Sequence, residues 1–259
     1  MAIKSNRIAA CNTALSFCNL MFNPIAVFCS PSGHIPTLFF CSAVLSICTH
    51  VTDCYNSDCF HKNYRIAKAA GYTDGYLAFC AFFVQIVLSA SGHAAVLDLP
   101  HYSDAWQIPS LQEHFSIPTL LTVIALVAVS DWFFYSTHRL LHERFPKVHL
   151  LHHCCIYSSL STNLFFEPLD ILLEFMLPIM FLQFTAVRIL GSSWTYILAT
   201  SVLQTYYTLS HDEWLGWQHT RHHRTTSTGY FIYYPYFSND PKREQIRKLI
   251  PKISQIRCS

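Results

Sequence analysis

Nine of the fifteen histidines in this 259-residue chain fall between His138 and His223, and most of them are clustered. The first group, His138-Arg-Leu-Leu-His142, would set two imidazoles one turn apart on a single helix face. The second, His149-Leu-Leu-His152-His153, and the third, His219-Thr-Arg-His222-His223, both read His-x-x-His-His. At this histidine frequency roughly 0.05 such matches are expected by chance, so a repeated match is a pattern. His211, just upstream of the third group, is a further candidate. Packed as cations these rings would repel one another, and packed as neutral rings they would waste costly desolvation. A metal ion resolves both problems by binding the neutral ring.

Eight or nine nitrogens exceed what one tetrahedral zinc takes and suffice for two octahedral ions with open positions. Imidazole suits iron, zinc and copper, so ligand type leaves the metal open. Cys154 and Cys155, directly after His153, are alternative ligands. Cys18, Cys29, Cys41, Cys48 and Cys80 lie in apolar runs as small hydrophobes, and all eleven cysteines read as reduced thiols. The scattered His34, His50, His61, His93, His101 and His114 read as structural. Counting back from the first group, Asp131 and Tyr135 share a helical stripe with His138 and His142. Asp131 is expected to accept the second N–H of a metal-bound histidine.

The elements that must carry these residues are apolar. The chain is 52% hydrophobic and 12% charged, against about a quarter charged in an average soluble domain. Apolar runs at 13–29, 35–51, 76–97, 117–135, 171–187 and 194–210 predict four to six membrane helices. Basic residues lie before the first run and after the second, fourth and sixth, while the loop from Asp98 to Ser116 has none. That distribution places both termini and the histidine clusters in the cytosol, with the last two runs as a hairpin. A basic tail at 239–259 reads as a helix lying on the membrane or on the protein itself. A single domain is expected, with N-terminal spans at 1–116 and a histidine-bearing catalytic region at 117–230. A net charge of +2 and no basic run among aromatics exclude nucleic acid as a partner.

The three groups resemble the histidine boxes of the fatty acid hydroxylase/sterol desaturase superfamily, and Asp131-x3-Tyr135-x2-His138-Arg139-x2-His142 resembles the lead-in to its first box. The resemblance covers roughly residues 117–230. It implies an all-α integral membrane bundle with a cytosolic histidine-rich metal cap, a di-iron centre and O₂ as co-substrate. It further implies electrons from a cytochrome b5 or an NAD(P)H-dependent reductase, and residence in the endoplasmic reticulum membrane. The site expected from it comprises His138, His142, His149, His152, His153, His211, His219, His222 and His223 as metal ligands, with Asp131, Tyr135 and Glu167 beside them. Where the family carries His-Pro-x-Glu, this chain has Glu167-Pro168-Leu169-Asp170, so Glu167 is expected to take the histidine's place and point at the metal. The stretch from His211 to His219 is shorter than the family's, and Thr220 stands where it has Asp.

The expected function is therefore hydroxylation or desaturation of a lipophilic substrate, a sterol, terpenoid or fatty acyl chain, among membrane lipids. The alternative is a non-redox isomerase or cyclase on the same scaffold, using histidine and Glu167 for acid–base work. A metal transporter is disfavoured, because the histidines lie beyond the span ends rather than at mid-membrane.

Overall fold

Ser116 starts the longest helix: its extended backbone and its hydroxyl, which accepts from the Thr119 N–H at 3.2 Å, cap the first turn, and Pro118 fits where no N–H is needed. In the computed structural model the described residues are 44, 47–48, 50–55, 58–91, 116–157, 159–191, 193–211 and 217–225. The expected run at 13–29, nearly all of the loop after Asp98 and the tail at 239–259 lie outside them. Among the described residues the fold is entirely helical. The main helices are α1 (Asp58–Ala69), α2 (Asp74–Ser91), α3 (Ile117–Arg144), the single turn α4 (Leu150–His153), α5 (Pro168–Ala186), α6 (Ser193–Leu209) and α7 (Trp217–Thr225).

Two of these, α3 and α5, are long and apolar enough to cross a membrane. Within the described residues the expected spans at 76–97 and 194–210 correspond to 18 residues of α2 and to the 17-residue α6. On α3, Ile117, Leu120, Leu121, Ile124 and Trp132 are more than half exposed, a surface suited to hydrocarbon rather than water. The 28 residues of α3 give about 42 Å of helix, longer than the ~30 Å hydrocarbon core. Its last turns, bearing His138 and His142, therefore project past the span. The helix continues beyond the expected end at 135 because only Pro146 stops it.

The opposite face of α3 packs on α5 and α6. Val123, Leu126 and Val127 meet Ile171, Ile179 and Leu182 from α5 and Tyr196, Ala199 and Leu203 from α6. Where lipid surrounds such a bundle, close van der Waals packing holds it more than expulsion of water, and the small Ala186 and Ala199 permit that approach. A second cluster lies under α4, where Leu151, Cys154 and Cys155 pack on Ile66, Ala67, Leu77 and Cys80. Gly71 (φ +100) closes α1: its N–H reaches the Lys68 carbonyl and that of Tyr72 reaches Ala67, a helix end that favours glycine.

Within α5 the residues Leu172–Met176 form a π-helical turn, in which the Leu177 N–H donates to the Leu172 carbonyl. Pro178 follows and has no N–H to give the Glu174 carbonyl. The Tyr207 hydroxyl on α6 donates to that carbonyl instead, at 3.2 Å.

Candidate metal centre

Four segments deliver histidines to one place: the end of α3, α4, the residues just after α6, and α7. All nine candidates are at most 3% exposed. Their ligand atoms sort into two sets. The first is His138, His142, His149, His153 and His222, and the second is His152, His211, His219 and His223. The sets adjoin, His153 of the first stacking on His223 of the second with ring centroids 4.9 Å apart.

The sorting follows from helix geometry. Residues four apart share a face, while a residue next to either is turned by about 100°. Each His-x-x-His-His box is accordingly split. His149 and His153 join the first set and His152 the second, whereas His219 and His223 join the second and His222 the first.

The nitrogens converge. His142 Nε2 lies 3.1 Å from that of His138, 3.0 Å from that of His153 and 3.1 Å from that of His222, and His138 Nε2 is 2.9 Å from His222 Nε2. In the second set His223 Nε2 is 3.1 Å from His211 Nε2 and 3.2 Å from His219 Nε2. A neutral ring has one N–H, so three nitrogens in a mutual triangle cannot all be satisfied by one another. A metal–nitrogen bond of about 2.1 Å puts ligands at right angles about 3.0 Å apart and tetrahedral ones about 3.4 Å apart. The observed spacings match the right-angled case, so the residues present fit a pair of many-coordinate metal ions.

Protonation agrees with this. Burial, followed by the neighbouring histidines, holds His152, His153, His211 and His223 well below the usual histidine range, so their rings are neutral and able to donate a lone pair. His149 turns Nδ1 to Asp170, 3.0 Å from both carboxylate oxygens, and its buried Nε2 has no hydrogen-bond partner. An Nδ1–H donated to Asp170 leaves the Nε2 lone pair facing the set. Ser210 serves His211 in the same way: its hydroxyl donates to the Tyr207 carbonyl at 2.7 Å, leaving Oγ to accept from His211 Nδ1 at 3.2 Å. Glu174, fully buried in the π turn, brings Oε1 to 3.2 Å from His138 Nδ1 and 3.4 Å from His149 Nδ1.

Three expected residues sit differently. Glu167 does not join the histidines; its two oxygens accept from the Tyr72 and Tyr76 hydroxyls, each at 3.0 Å, and tie α5 to α2. The carboxylates at the histidines are Asp170 and Glu174, one and two turns further along α5, where i, i+3 and i, i+7 spacing in the sequence was the available signal. Asp131 is fully buried but joins none of the convergent sets. Tyr135 lies at the edge of its stripe, accepting from Arg139 Nη1 at 3.2 Å, while Arg139 Nε donates to Glu143. Cys154 and Cys155 are not ligands: they pack in the apolar cluster, and burial pushes the Cys154 thiol up to about 12.

A narrow cavity of about 40 Å³ opens against the second set, lined by His152, His211 and His219 with Phe134, Phe166 and Tyr207. Phe166 stacks on His152 with centroids 3.9 Å apart. A larger apolar groove of about 820 Å³, between residues 47–55, α1 and α2, carries none of the nine histidines.

Residues 123–238 match the fatty acid hydroxylase family. That stretch contains all nine histidines together with Asp170, Glu174 and Tyr207. No curated protein and no solved structure matches the chain. Residues 123–238 thus carry the match to a fatty acid hydroxylase domain, in line with the resemblance of the histidine boxes to the fatty acid hydroxylase/sterol desaturase superfamily.

Proposed function

We propose that this protein is a membrane-bound non-haem di-iron oxygenase that uses O₂ to hydroxylate or desaturate a sterol, terpenoid or fatty acyl substrate. The sorting of nine buried histidines into two adjoining sets carries the reading. His138, His142, His149, His153 and His222 would hold one iron, and His152, His211, His219 and His223 the other. Bound there, the irons supply the O₂ activation that oxidation of an unactivated C–H bond requires. Hydroxylation consumes one O₂, two electrons and two protons, and yields the alcohol and water. The resemblance supports a cytochrome b5 or an NAD(P)H-dependent reductase as the electron source, and the endoplasmic reticulum as the membrane. The distribution of Lys and Arg supports histidines facing the cytosol.

The chain's own residues orient and exclude. Asp170 and Ser210 fix the tautomers of His149 and His211. Phe134, Phe166 and Phe175 wall the cavity beside the second set, so a hydrocarbon entering it forfeits no hydrogen bonds. Tyr207 and Ser210, the hydroxyls there, spend their protons on the Glu174 and Tyr207 carbonyls. At about 40 Å³ the cavity is well below the ~300–1,000 Å³ that encloses a whole ligand. It receives the carbon to be oxidised, while the rest of the lipid lies along the exposed apolar helix faces.

Metal analysis of the purified protein tests this, with two irons per chain expected. Incubation with membrane lipids and isotopically labelled O₂ should yield a labelled alcohol or an O₂-dependent loss of two hydrogens. A single zinc, or no metal with O₂-independent product formation, refutes the reading and favours acid–base chemistry.

A further inference from the structure

Granted that the nine histidines hold two metals, we infer that the two positions are unequal: the five-histidine position is closed and retentive, the four-histidine position is exchangeable and faces the cavity, and Glu174 is a positioning residue for the first alone. The counts of ligands differ, five against four. The backing differs more. Behind the first set stand two buried carboxylates, Asp170 on His149 and Glu174 between His138 and His149. Asp170 bonds a ring whose other nitrogen faces the set, Glu174 stands within 3.4 Å of two ring nitrogens, and a carboxyl group behind a ligand orients it. Among the described residues, no carboxylate joins the second set. The support that the described residues give it includes the neutral Ser210 hydroxyl on His211 and the Phe166 ring against His152, whose two nitrogens both lack a hydrogen-bond partner. Access is unequal as well. The cavity is lined by three histidines of the second set and by none of the first.

Glu174 owes its place to the main chain. Pro178 leaves the Glu174 carbonyl without its usual helical donor, the π turn Leu172–Met176 displaces the register, and Tyr207 anchors that carbonyl from α6. The carboxylate that results is aimed at one imidazole from the first box and one from the second. The ring nitrogens nearest to it, His138 Nδ1 and His149 Nδ1, belong to the first set, although the side chain also lines the cavity.

The test is removal of metal from the purified full-length holoprotein in detergent by excess EDTA, with metal per chain followed over time. Wild type is expected to lose its metals in two phases of equal amplitude. His152→Ala should carry a single metal and lack the fast phase. Glu174→Gln, near-isosteric and neutral, should speed the slow phase by about 10–100-fold and leave the fast one unchanged, the range seen when outer-shell partners of metal ligands are removed. General loosening of the fold would speed both phases. Should Glu174→Gln not fold, Tyr207→Phe removes the anchor on the Glu174 carbonyl and should speed the slow phase alone. Two metals leaving wild type in one phase, or a carboxamide that changes the fast phase or neither, overturns the inequality while the two-metal reading stands. A His152→Ala protein that still holds two metals overturns the inequality alone, and a wild type without metal overturns both.

Discussion

Acidifying the metal-free protein from about pH 7.5 to about pH 5.5 should destabilise it by several kcal/mol, and the size follows from four rings. His152, His153, His211 and His223 are buried, with affinity for protons depressed by burial and by one another. Above the ordinary histidine value of about 6.5 both folded and unfolded chains hold these rings neutral, and pH has no effect through them. Below it the unfolded chain takes up protons that the folded one refuses, so stability falls as the pH falls. A ring refusing its proton throughout this window loses about 1.4 kcal/mol, and four lose about 5 kcal/mol. That rivals the ~5–15 kcal/mol stability of a typical domain. The assay is thermal unfolding of chelator-treated protein in detergent, where about 2–4 °C per kcal/mol at this chain length gives a fall of about 10–20 °C. Metal occupying the lone pairs should move the loss to lower pH. A shift under about 4 °C, the worth of one ring, would refute the reasoning, because it would mean the histidines protonate in place.

Glu167→Gln and Glu167→His should both leave metal content unchanged and cost about 1–3 kcal/mol of thermal stability, since the carboxylate serves Tyr72 and Tyr76; metal loss in either variant would return Glu167 to the centre. Glycosylation acceptor tags inserted near Tyr157 and near Ser227 should both stay unmodified in microsomes, because the ends of α3 and α6 and the start of α5 meet at one centre and so lie on one side of the membrane. Modification of either tag contradicts the cytosolic orientation.

The candidate ligands were legible in the sequence because their spacing alone sets them apart. Two His-x-x-His-His groups and a His-x3-His group cannot be explained as core, and the nine candidates are the nine that converge. The carboxylates were not legible in the same way. Glu167 precedes Pro168 in the place of a family histidine and so attracted the role, but an extended residue before proline points where its own backbone sends it, here toward α2. Asp170 lies just ahead of a run that reads as a membrane helix and Glu174 inside it, where the arrival of His138 and His149 from two other segments gives the buried carboxyl groups polar neighbours. The π turn that aims Glu174 depends on Tyr207 from α6, a contact 33 residues away that no local pattern announces.

The splitting of the boxes explains why this architecture would bind a pair of metals rather than two separate ones. A box of the form His-x-x-His-His on a single helical turn offers one pair of rings on one face and one ring beside it, so no such box can be absorbed by one metal. Box two commits its pair to the first set and box three commits its pair to the second, each lending its odd ring across. Removing α7 would thus take His222 from one position and His219 and His223 from the other, leaving four ligands and two. Neither position can be completed without the other's helix, and α4 and α7 must dock face to face before either metal is fully held. The α3 pair His138 and His142 then makes the difference between the positions, raising the first to five while His211 brings the second only to four. The asymmetry of the centre is therefore written into which helix carries a two-ring box, and it falls to α3, the longest of the described helices.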